Sequence, residues 1–241
     1  MADDDRTLAL RLVCGLAASA ARMVPVPFLD DVLRARALQL LVSRTLRAHG
    51  RTYGSAKVAP LYGDTRGLVE GCAVFVVLLP IRLLLFPVRK FLAWVMAVKH
   101  LARDFAESLL LGRALDAALA AGRLPEGAEP SALRAEADLV RRAFENALAG
   151  IDVALLGSVL RRSLRSVAGL PRAAIAAVQR LRRRDDVADP GAELSGAQQR
   201  AVDEGTSRLR AVLDTPEIAA MLARFDAKLA ENLAVLDERT R

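Results

Sequence analysis

Aromatic side chains are scarce in this 241-residue chain: seven Phe, two Tyr and one Trp, 4% of residues. Cysteine and histidine occur twice each. Two thiols cannot build a disulfide scaffold, and no haem-attachment motif is present. The longest stretch without a charge is the eleven residues Gly71–Ile81, short of the roughly 18 that a simple transmembrane helix needs. Motifs of chemistry are missing too: no GxxxxGK[ST], no GxGxxG behind a strand, no HExxH, CxxC or GxSxG. The expectation is therefore a non-enzymatic protein with no catalytic residue, no cofactor site and no metal site. His100, Asp104 and Glu107 share a helix face by their spacing of four and three. Lys99 and Arg103 lie beside them, so a salt-bridged surface accounts for them better than a metal. The acid pairs Asp30-Asp31 and Asp185-Asp186 flank helices or fall in a linker, where they cap or solvate.

The start of the chain lacks the features of a leader. Met1-Ala2-Asp3-Asp4-Asp5 is acidic where a signal peptide is basic, and Arg11 interrupts the apolar stretch 8–21. Cys14 and Cys72 read as small buried apolar residues rather than reactive thiols. The expected location is cytoplasmic, on the cytoplasmic face of a membrane.

What is abundant is helix former. Apolar residues make up 53% and charged residues 26% of the chain, which excludes wholesale disorder. The net charge is +7, from 31 Arg and only 4 Lys against the acids; the Arg bias reflects GC-rich coding more than guanidinium chemistry. Ala, Leu and Arg favour helix, with Gly and Pro between the periodic segments. The spacing predicts helices over about 6–22, 30–49, 65–79, 84–121, 131–149, 152–168, 170–184 and 196–214, and a last one from Thr215-Pro216-Glu217 onward. Asp30, Asp64, Ser131 and Thr215 are candidate caps, and Ser195-Gly-Ala-Gln198 is a capping box. The fold class is all-α: an irregular multi-helix bundle with a central apolar helical hairpin and a C-terminal helical hairpin. Residues 1–184 form one helical domain, 185–195 a linker and 196–241 the terminal hairpin.

Leu68–Val98 holds only four charges in 31 residues: Glu70, Arg82, Arg89 and Lys90. Pro80 and Pro87 break it, and a charge at mid-bilayer costs about 2.5–3.5 kcal/mol. A bent hairpin with apolar arms 68–79 and 88–98 fits this pattern. Phe75, Val76, Leu79, Leu85 and Phe86 would meet lipid. Arg82, Arg89 and Lys90 would reach headgroups, and Trp94 would sit at the interface. The same run also suits a buried core hairpin in which Glu70 pairs with Arg82 or Arg89.

From Val153 to Arg184 there are eight Arg and no acid. Leu155, Leu156, Leu160, Leu164, Ile175 and others are interleaved, giving a basic amphipathic helix pair, a membrane-surface pattern. Arg161, Arg162, Arg165 and Arg172 are its candidate headgroup contacts. A solvated helix face is the plain alternative. Nucleic acid is disfavoured, because no aromatic stacks among these arginines. In the last helix Ile218, Leu222, Phe225, Leu229, Leu233 and Leu236 make an apolar stripe, able to pack within the chain, across a homo-oligomer or on a protein partner. The leading expectation is a monotopic or peripheral scaffold or adaptor whose partner is an anionic lipid surface. The alternative is a soluble helical interaction module.

Overall fold

The computed structural model describes residues 2–21, 29–63, 86–167, 169–183 and 195–240. Side chains are described at 5–20, 33–63, 102–167, 169–178 and 195–238. The expected helix 65–79, and with it Phe75, Val76, Leu79, Arg82 and Leu85, lies outside the described residues. So does most of the expected linker 185–195. Phe86, Arg89, Lys90 and Trp94 lie on helical backbone, with side chains outside the described set.

The described residues are all-α. Eight α-helices follow in order: α1 Ala2–Ala21, α2 Leu29–Ala48, α3 Phe86–Ala120, α4 Pro130–Ala149, α5 Val153–Leu164, α6 Leu170–Arg183, α7 Gly196–Leu213 and α8 Pro216–Thr240. A short 3-10 helix, Ser55–Leu61, fills the loop after α2. No strand occurs among the described residues.

Helix α1 is the axis of the assembly. It packs along α2, α3, α6 and α7. Leu12, Val13, Cys14 and Gly15 are buried in succession, as happens when neighbours surround a helix on every side. Two glycines let the helices approach this closely. A Cβ on Gly15 would lie 2.9 Å from the Phe105 ring of α3. A Cβ on Gly157 of α5 would lie 2.4 Å from the Ala102 carbonyl oxygen of α3. Helix α5 therefore rests backbone to backbone on α3.

The buried hydroxyls are satisfied inside their own helices. Ser19, Thr45, Ser108 and Thr206 each donate to the carbonyl four residues earlier, at 2.7–2.9 Å. None of the four leaves an unpaired dipole in the core.

One expected cap, the Ser195–Gln198 box, is met, and Asp152 supplies another. The Asp152 carboxylate accepts from the Leu155 amide at 2.9 Å, and Ser195 and Gln198 form the reciprocal capping box. Two differ. Helix α4 starts two residues earlier than a Ser131 cap allows, with Pro130 in its first turn after Glu129; proline suits that position because its missing N–H has no intrahelical partner there. The Thr215 hydroxyl turns back to donate to the Val212 carbonyl at 2.7 Å, an oxygen that also accepts from the Thr215 amide at 3.1 Å.

Helices α7 and α8 follow one another directly but make their main contacts elsewhere: α7 with α1, α5 and α6, and α8 with α4. Both belong to one contiguous apolar core with the preceding helices. Ile218, Leu222, Phe225, Leu229 and Leu233 are buried, and Leu236 is partly buried against that core. Phe225 meets Phe144 of α4 edge to face, with ring centres 6.1 Å apart. Of the uses open to this stripe, packing within the chain is the one observed.

Candidate functional site

The arginine-rich segment is built on α5, α6 and the residues between them, of which 165–167 and Gly169 are described. Val153, Leu156, Gly157, Leu160 and Leu164 form the inner face of α5, against α3 and α7. Val167 and Leu170 pin the turn into the core. Gly169, at φ +77°, supplies a left-handed residue just before α6. Ala173, Ala174 and Ala177 then bury the inner face of α6 against α1 and α7.

This packing leaves the cations outside. Arg161, Arg162, Arg165 and Arg172 are all exposed. None forms an ion pair with an acid among the described residues. The nearby acid Glu204 of α7 is already held by Arg208 at 2.7 Å, and Arg208 also donates to Ser166 in the turn. Arg161 and Arg162 fall in the last turn of α5, where a cation is favoured by the helix dipole. That dipole accounts for two of them; Arg172 stands near the start of α6, where a cation is disfavoured. Two large apolar side chains of this segment are exposed: Leu155 on α5 is 50% exposed and Ile175 on α6 41%.

The other charged groups are structural. Arg11 of α1 crosses Gly112 to pair with Asp116 of α3, and His49 Nε2 lies 3.1 Å from the same carboxylate. Burial first, and then the charges of Arg51 and Arg11, hold the His49 pKa below its ordinary value. Asp116 already faces the Arg11 guanidinium, so its pull on a His49 proton is largely spent. Arg113 grips Asp226 with two hydrogen bonds of 2.6 and 2.8 Å, tying α3 to α8. Asp104 and Glu107 face Arg34, and Arg103 pairs with Glu107 at 2.8 Å. No group of three or more His, Cys, Asp or Glu that could hold a metal occurs among the described residues. Cys14 is fully buried, and burial pushes its thiol up to about 12.

Among the described residues no single helix is long and apolar enough to cross a membrane. Helices α4 and α5 together pass on length and composition, with an 84° bend between them. Their apolar side chains, Leu133, Val140 and Phe144 with Leu156 and Leu160, are already buried in the core.

Two features escape sequence reasoning. The Arg11–Asp116–His49 cluster joins α1, α3 and the turn after α2, far apart in the chain, and leaves no local spacing to read. The exposure of Leu155 leaves a faint signal: Leu155 and Leu156 are adjacent, and a helix resting on one face cannot bury both. No family model matches the chain, and neither a curated protein nor a solved structure matches it.

Proposed function

We propose that the protein is a non-enzymatic, membrane-associated helical scaffold or adaptor, held at a surface of anionic lipid by the outer face of α5 and α6. The observation that supports this reading is the display of Arg161, Arg162, Arg165 and Arg172 on two well-packed helices, none of them in an ion pair with an acid among the described residues. Protein surfaces normally mix charges of both signs. A one-sign surface attracts a partner of the opposite sign, and an anionic leaflet is a large one. The apolar stretch 68–98, whose last part forms the start of α3, is the second element of the reading. A protein partner on α8 would meet its outer face, around Val235, because the inner stripe is covered by α4.

The test is co-sedimentation with vesicles. Wild-type protein is expected to pellet with vesicles containing anionic lipid at low salt. Replacing the four arginines with Gln weakens that binding about a hundredfold or more, since each basic residue at such a surface contributes about 1 kcal/mol. The melting temperature stays within about 2 °C, because exposed residues without partners contribute little to stability. Protein that stays in the supernatant at low salt refutes the reading and favours a soluble interaction module with 68–98 as its core.

A further inference from the structure

We propose that Leu155 and Ile175 are hydrophobic anchors of the basic surface, placed to enter the outer layer of an anionic bilayer while the neighbouring arginines bind lipid phosphates. The proposal rests on the membrane reading above and adds the mode of attachment. Four large apolar side chains are exposed among the described residues: Leu33, Leu155, Ile175 and Val235. Two of the four fall in the one segment that has many arginines and no acid. Single exposed leucines are ordinary; their coincidence with exposed arginines that pair with no acid among the described residues is what points to a layered partner.

Leu155 is held firmly. Its amide is bound by the Asp152 cap, and two residues on Gly157 rests on the backbone of α3 at Ala102–Arg103. That contact lies one helical turn beyond Val98, where the apolar stretch ends. Ile175 lies one turn beyond Arg172 on α6, on the same exposed side of that helix.

The chemistry selects the occupant. An acidic protein surface or a nucleic acid would satisfy the arginines, but neither requires Leu155 and Ile175. A bilayer offers phosphates and, a few ångströms deeper, hydrocarbon, in the order these residues need. About half of each side chain is open to solvent, so moving it into lipid is worth about a fivefold change in affinity per residue.

The experiment has two arms. In the first, Leu155→Ser and Ile175→Ser are combined and titrated with vesicles of 70% phosphatidylcholine and 30% phosphatidylglycerol. Binding is expected to weaken about tenfold to thirtyfold, with an unchanged dependence on salt. In the second, an environment-sensitive NBD fluorophore is attached at Leu155→Cys or Ile175→Cys in a chain also bearing Cys72→Ser; the remaining Cys14 is buried. Its emission is expected to shift to the blue on these vesicles, and spin labels near the lipid headgroup should quench it. If the protein pellets with vesicles while both fluorophores stay in water and the double Ser variant binds like wild type, the anchors are refuted and the electrostatic reading survives. If wild-type protein does not bind the vesicles, both fall. If a single-stranded oligonucleotide displaces the vesicles, and binds wild type and double Ser variant equally, the surface is a nucleic-acid surface and the anchors are refuted.

Discussion

Replacing Gly157 with Ala tests how α5 is held against α3. A methyl group there would lie 2.4 Å from the Ala102 carbonyl oxygen, 2.6 Å from its carbon and 3.0 Å from the Arg103 nitrogen. All three are backbone atoms inside a helix, so no flexible side chain can move aside. Ordinary carbon–oxygen contact needs roughly 1 Å more. Helix α5 must therefore shift away from α3, loosening Val153, Leu156, Leu160 and Leu164 together. Overpacking of this kind costs about 1–3 kcal/mol, occasionally more. Alanine returns up to about 1 kcal/mol through its better helix propensity. The net expectation is a loss of about 1–2 kcal/mol, or about 2–8 °C in melting temperature for a chain of this size. Gly196 is the control: it begins α7, and a Cβ there would meet nothing within 4 Å. Gly196→Ala should be neutral or stabilising by up to about 1 kcal/mol. Urea denaturation followed by circular dichroism compares the two. If Gly157→Ala matches Gly196→Ala or exceeds wild type, the close contact of α5 with α3 is wrong.

Three other perturbations probe different parts of the molecule. Phe225→Ala removes a fully buried ring that packs edge to face on Phe144, and should cost about 3–5 kcal/mol by thermal or urea unfolding; a loss under 1 kcal/mol would mean α8 is not seated on α4. In a Cys72→Ser chain, Cys14 should resist thiol reagents at pH 8 until denaturant is added, because burial pushes its pKa up to about 12; rapid labelling of native protein would contradict that burial. His49 has a folded pKa below its unfolded value of about 6.5, so the unfolded chain binds the proton more tightly. Its contribution is intact above pH 6.5, declines as pH falls toward the folded pKa, and levels off below it. His49→Gln should flatten that part of the stability curve, and an unchanged slope would remove His49 as its cause.

The helical class and most helix limits are legible in the sequence for a local reason: the signals that set them are local. Asp152, Ser195 with Gln198, and Pro216 act within one turn of their own position. The 218–236 stripe announces that α8 buries one face, yet periodicity does not name the partner, which is α4. The arginine surface is legible as composition, but its exposure depends on which face of α5 meets α3. The small volume of Gly157 makes that contact possible, and a lone glycine inside a helix reads in sequence only as a weak breaker. The ion pairs Arg11–Asp116 and Arg113–Asp226 join residues about a hundred positions apart. No window of sequence contains both partners.

The position of α1 at the axis has a consequence for biosynthesis. Its buried residues, Leu12 to Ser19, are enclosed in part by α6 and α7. Translation at about 5–20 residues per second leaves ~10–40 s between completion of α1 and completion of α7. Throughout that interval the nascent chain carries an oily helix with part of its final enclosure not yet made. Closure waits on the synthesis of α7, and until then a holding chaperone would find its natural grip on α1.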